Sequence, residues 1–140
     1  MHVSPHLTFA GHCEAAFQFY ARTLGGTIGT MLTYGQSPMV EQVRSDWHSK
    51  IVHASLSIGD TMLTGADALP EQYVPPQGFY VLLGVDEPAE AERVFRALAE
   101  GGDVRLPIQE TFWSPRFGVL VDRFGIPWEI SGEQAPATMR

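Results

Sequence analysis

Five histidines, a lone cysteine and one glutamate between two large apolar residues are the side chains of this sequence best placed to do chemistry. All five histidines, at positions 2, 6, 12, 48 and 53, fall within the first 53 residues. Their spacings match no single helical or strand metal site, so His2, His12 and His48 are expected at the surface. His53 stands apart because it interrupts a small, polar strand face. It reads either as an imidazole hydrogen-bonded to a neighbouring hydroxyl or as a ligand-contacting or acid/base group. Glu129 lies between Trp128 and Ile130, whose packing one way turns the carboxylate the other way. A carboxylate buried dry is costly, so Glu129 must meet a metal, a cation, a hydrogen-bond donor or water, or sit solvated at a rim. Trp113 follows Gln109-Glu110-Thr111 and precedes Ser114-Pro115, a loop position where a flat apolar ligand can stack. Cys13 sits at a helix start with no His-Asn or Asp set to activate it, and is expected as a buried thiol. Phosphate loops, nucleophile elbows and CxxC pairs are absent from the sequence.

The elements that carry these residues follow from periodicity. Cys13, Ala16, Phe17, Tyr20 and Leu24 keep helical spacing, and Gly25-Gly26 ends that helix. Residues 3–10 and 27–35 read as strands, and 36–49 as a short helix or an irregular excursion. From Lys50 the period becomes two: Val52, Ala54, Leu56 and Ile58 form an apolar face, and Ile51, His53, Ser55 and Ser57 a mostly polar one. Gly59-Asp60 turns the chain, Thr61 to Gly65 returns as a strand, and residues 67–77, rich in proline, form a linker. Phe79 to Val85 is then a strand, and Asp86-Glu87-Pro88 starts a helix bearing Ala91, Val94, Phe95 and Leu98. Strands are expected over 103–111, 116–121 and 126–131, with Phe124-Gly125 turning between the last two.

Sliding the halves by 75 residues pairs Leu7 with Leu82, Ala16 with Ala91, Phe19 with Val94 and Tyr20 with Phe95, and the Gly-Gly pairs match at 76. The expectation is an α+β fold of two tandem βαβββ units, 3–66 and 78–132, in a single domain spanning 1–132, with residues 133–140 as a loose tail.

Two such units, with Phe-Tyr before a Gly-Gly helix end and a late Asp-x-Phe-Gly-x-x-Trp, resemble the vicinal oxygen chelate superfamily of glyoxalases, extradiol dioxygenases and bleomycin-resistance proteins. More narrowly the chain resembles its PhnB-like branch, through residues 13–26, 50–60, 90–113 and 116–130. The resemblance implies half-barrel sheets forming a cup that holds a small organic ligand and often a divalent metal. His53, Ser55, Tyr80, Trp113 and Glu129 are then the candidate ligand contacts. The positions matching the metal ligands of relatives are Pro5, Ser55, Tyr80 and Glu129, of which only Glu129 is a good donor. A one-residue shift of the first strand, and use of His53 in place of Ser55, would give His6, His53 and Glu129. No cofactor and no complete metal site are therefore expected, and the preferred reading is a small-molecule binder. The alternative is a divalent-metal-dependent lyase, isomerase or dioxygenase. Some relatives carry a label as ubiquinone-pathway methyltransferases. Gly25-Gly26-Thr27-Ile28-Gly29 follows a helix and precedes a strand, the reverse of the order that a methyl-donor loop of the usual kind needs.

Sixteen acidic residues against nine basic ones give a net charge of -7 with no basic cluster, which argues against nucleic acid as a partner. No stretch approaches the ~18 apolar residues of a membrane span, and a cytoplasmic location is expected. Paired units and exposed sheet edges favour a homodimer.

Overall fold

The apolar stripe of residues 13–24 forms helix α1, Cys13–Leu24, which buries Cys13, Ala16, Phe17, Phe19, Tyr20 and Thr23. Each large apolar side chain so buried contributes roughly 1.5–3 kcal/mol, enough to fix the helix on its sheet. It ends at Gly25, whose φ of 70° is left-handed. A computed structural model describes residues 1–132 and divides the chain into two compact units, Met1–Pro75 and Pro76–Arg140. The expected tail, 133–140, lies outside the described residues.

In the first unit α1 packs on one face of a four-stranded sheet. Its strands are β1 (His6–Phe9), β2 (Thr27–Thr33), β3 (Ile51–Ile58) and β4 (Thr61–Asp67), in the order β1-β4-β3-β2. β1 pairs with β4 in parallel and the other pairs are antiparallel. The Phe17 ring lies over Gly65, where a Cβ would come within 2.8 Å of it. Leu7, Phe9, Ala54, Leu56 and Leu63 complete the buried face. The 36–49 excursion is three short 3-10 turns, Tyr34–Gln36, Val40–Gln42 and Ser45–Trp47. β4 runs two residues beyond the expected Gly65, so Asp67 belongs to the strand and not to the connection that follows.

The second unit repeats the plan: β5 (Val81–Val85), α2 (Pro88–Ala99), β6 (Asp103–Gln109), β7 (Arg116–Val121) and β8 (Pro127–Gly132), in the order β5-β8-β7-β6. Pro88 stands in the first turn of α2, where its missing N–H costs nothing. Ala91, Val94, Phe95 and Leu98 face the sheet, and Phe95 packs on Gly118, where any Cβ would strike its ring.

The repeat holds, but its register needs one correction. The 75-residue shift places Leu7 on Leu82, yet Leu7 is 2% exposed against α1 while Leu82 is 59% exposed on the opposite face of its sheet. Gly65 pairs with both Leu7 and Ala54, as Ile130 pairs with both Leu83 and Gly118. Leu7 therefore corresponds to Leu83, a shift of 76 that agrees with the glycine pairs.

Candidate functional site

In each unit the sheet face turned away from the helix carries the polar exceptions. On the first sheet, His6, Thr64, Ser55 and Thr30 form one cross-strand row. His6 Nδ1 lies 2.7 Å from Thr64 Oγ1, and the buried Ser55 Oγ accepts from the Thr30 backbone N–H at 3.0 Å. Burial, and then the nearby His53 imidazole, hold His6 below the ordinary histidine value of 6.5. The imidazole bonded to a hydroxyl is thus His6 and not His53. His53, paired with Leu32, is exposed and makes no hydrogen bond among the described residues. Of the remaining histidines, His2 and His12 are exposed, but His48 is half-buried with Nε2 3.1 Å from the Val43 carbonyl.

On the second sheet, Trp128 (1% exposed) and Ile130 (0%) pack under α2, which turns Glu129 to the free face as the alternation requires. There Glu129 is half-buried in a row with Leu82, Val119 and Leu106. The adjacent row contains Phe117 and Ser131. Trp113 projects from the β6–β7 loop with its ring 5.2 Å from that of Phe117, and Phe112 stands edge-on to it at 4.6 Å. Tyr80 precedes β5, half exposed, and borders a hollow of about 220 Å³ with Gly78, Arg105, Val121 and Pro127. The candidates therefore fall into separate sets: His53 and Ser55 share a face in the first unit, while in the second Glu129 lies one row from the Phe117 on which Trp113 packs, and Tyr80 borders its own hollow.

The most heavily bonded side chains of the two units escaped the sequence reading. Asp67, 1% exposed, accepts from the backbone N–H groups of Gly11 (3.1 Å) and Cys13 (2.9 Å) on Oδ1 and of Ile51 (2.9 Å) on Oδ2. Its carbonyl takes the Tyr34 hydroxyl at 2.8 Å. It holds the start of α1, which has no side-chain cap of its own, to the strand that follows the excursion. Asp122 acts similarly within the Asp-x-Phe-Gly-x-x-Trp motif, accepting from the Phe124 and Ile126 N–H groups and from Trp128 Nε1 at 2.9 to 3.0 Å. The motif is thus a carboxylate-clamped turn. Ser114, 3% exposed, donates to backbone carbonyls at the end of β8 and the start of β7. Period two gave one signal for Asp67, since it continues the buried series Leu63, Gly65.

A divalent ion calls for three or four converging donors. The first sheet offers His6 and His53, and the His6 ring is already engaged by Thr64. No group of three or more His, Cys, Asp or Glu fit to hold a metal occurs among the described residues. Within the first unit the two imidazoles alone fall short of the donors a divalent ion calls for, and no step is derived through one. Cys13 is fully buried, and burial with the nearby Asp67 and Glu14 pushes its thiol far above the usual range. No helix of the described residues is long and apolar enough to cross a membrane.

Two βαβββ units with these registers are the fold of the glyoxalase/bleomycin resistance/dioxygenase superfamily, and solved members at lower identity share it. A family model described as 3-demethylubiquinone-9 3-methyltransferase matches residues 1–131, and the chain belongs to that PhnB-like family. Protein YjdN of Escherichia coli (strain K12) is 33% identical over 139 residues, 94% of this chain and 95% of that one. Protein PA1353 from Pseudomonas aeruginosa, known from a crystal structure, is 43% identical over 96% of this chain and 99% of its own, with a TM-score of 0.88. A putative 3-demethylubiquinone-9 3-methyltransferase, PhnB protein, from Bacillus cereus reaches 0.79 at 20% identity over 94% of this chain and 98% of that one, a likeness of fold.

Proposed function

We propose that the protein binds a small organic molecule on the helix-free faces of its sheets, without a complete metal site. The contacts assigned are His53 and Ser55 in the first unit and Tyr80, Trp113 and Glu129 in the second. The observation that carries this is Glu129, a half-buried carboxylate set among Leu82, Val119 and Leu106 that makes no ion pair or hydrogen bond among the described residues. Folding alone gives no reason to keep a charge there. The test is to record backbone amide shifts of the whole chain against a library of small soluble organic molecules. Hits should move residues of β3, β7 and β8 on these faces, and a library that moves none of them sinks the reading.

Methyl transfer, named in the family description, is not proposed. The two strand-to-helix junctions, Ala10-Gly11-His12 and Asp86-Glu87, lack the glycine-rich turn that a methyl-donor loop of the usual kind uses. A metal-dependent lyase, isomerase or dioxygenase is the second reading, favoured by one observation, the two imidazoles on one sheet face. Stoichiometric Zn, Ni, Mn or Fe in the purified protein would move preference to it. The binder is further proposed to be a homodimer, since among the described residues β1, β2, β5 and β6 each pair on one side only. Light scattering should then give twice the chain's 15.4 kDa, and the monomer mass rejects it. A reducing, cytoplasmic setting suits the free thiol of Cys13.

A further inference from the structure

We infer that the free face of the second sheet takes a flat organic cation, its charge held by Glu129 and its body by Trp113, which the buried Phe117 supports from beneath. This names the ligand class of the binding function proposed above and rests on it. Three observations within the second unit lead there.

The first is the missing countercharge. All five arginines among the described residues of this unit are engaged elsewhere. Arg93 pairs with Glu90, Arg96 and Arg116 with Glu92, and Arg105 with Asp103, while Arg123 donates to the Glu100 carbonyl. Glu129 has no such partner, and its cross-strand neighbours Leu82 and Val119 can supply none. A partly desolvated carboxylate gains most from a weakly hydrated cation, because such an ion loses little on leaving water.

The second is the aromatic platform one row away. Same-face neighbours along a strand stand about 7 Å apart, so Phe117, opposite Ser131, lies roughly one ring's length from Glu129. Trp113 covers Phe117 edge-on while remaining 49% exposed itself. An indole left half open beside a carboxylate offers stacking and cation–π attraction to the same guest.

The third is exclusion of the other ligand classes. An anion would meet the carboxylate with no arginine free to offset it. A hydrated divalent metal ion would find one donor side chain among aliphatic neighbours. A neutral aromatic would use the platform but leave the carboxylate unpaired.

Calorimetric titration of the full chain with three indoles of similar size tests this: tryptamine as cation, tryptophol as neutral and indole-3-propionate as anion. Tryptamine should bind about tenfold tighter than tryptophol, the scale of one partly screened charge pair, with indole-3-propionate weakest. Glu129→Gln should remove the advantage of tryptamine and leave tryptophol unchanged, whereas Trp113→Ala should weaken both. Raising the salt must shrink the wild-type advantage, a readout that needs no variant to fold. Equal affinity for tryptamine and tryptophol, an advantage that survives Glu129→Gln or salt, or no binding of tryptamine overturns the inference. The broader reading falls only to the amide-shift experiment, so the two failures are distinct.

Discussion

Removing the Asp67 carboxylate is the sharpest test of how the first unit is held together. Its two oxygens satisfy three backbone N–H groups, those of Gly11, Cys13 and Ile51, from segments 56, 54 and 16 residues away. Hydrogen bonds to a charged group are worth roughly 1.5–3 kcal/mol each, and an orphaned buried donor costs about 1–3 kcal/mol. Asp67→Ala orphans all three, and with water entering the space left the expected loss is about 4 kcal/mol. Asp67→Asn keeps the shape and can leave its carbonyl toward Gly11 and Cys13, but then aims an NH₂ at the Ile51 N–H. The expected loss is about 2 kcal/mol. Domains of this size have only about 5–15 kcal/mol in all, so a loss of about 4 kcal/mol should lower the unfolding temperature of Asp67→Ala by roughly 10–20 °C. Urea denaturation followed by circular dichroism gives the stability change, and hydrogen exchange at Gly11, Cys13 and Ile51 locates it. A loss under about 1 kcal/mol for Asp67→Ala would refute the assignment of this carboxylate as the tie between helix start and strand.

Ser114→Ala deletes a buried hydroxyl that reaches the Arg116 and Gly132 carbonyls at 2.9 and 2.7 Å, and should cost about 1–2 kcal/mol in the same urea assay. Cys13, its thiol raised by burial, should stay protonated and unlabelled by thiol reagents at pH 8 until the unit opens. Labelling as fast as that of a free thiol would contradict this. His6 should titrate below 6.5 in an NMR pH series. Because its folded value is lowered, the unfolded chain binds the proton first, so its stability contribution is present above 6.5 and fades as the pH falls below that value. A midpoint at or above 6.5 for His6 contradicts the lowering by partial desolvation and by the neighbouring His53. Gly118→Ala should destabilise the second unit by about 1–3 kcal/mol, since the new methyl meets the Phe95 ring.

Periodicity located what depends on one segment at a time. The helix over 13–24, the helix begun by Pro88 and the strand 116–121 follow from local spacing and match the observed elements. Alternation around Trp128 and Ile130 likewise placed Glu129 on the free face. What local spacing could not carry was pairing. The register of β1 on β4 is set by residues 58 apart, so a one-residue error in aligning the halves put Leu82 where Leu83 belongs. Asp67 looked like the first residue of a proline-rich linker because the donors that justify burying it lie far away in sequence. The same blindness made a hydroxyl bond one of the two readings of His53, when Thr64, across the sheet, holds His6.

The parallel pairing of the first and last strands of each unit has a consequence for synthesis. His6 pairs with Thr64, and Val81 with Trp128, so neither sheet can close until its final strand has left the ribosome. Once residue 67 and the Pro-containing connection behind it emerge, every partner of β1 and every donor to the Asp67 carboxylate is already outside. The first unit can therefore reach its hydrogen-bonded end state while the second is still being translated, at ~5–20 residues per second. Its exposed strand edges would then exist for some seconds before the rest of the chain is made. Any association through those edges would have its earliest opportunity on the polysome, between neighbouring copies of the same nascent chain.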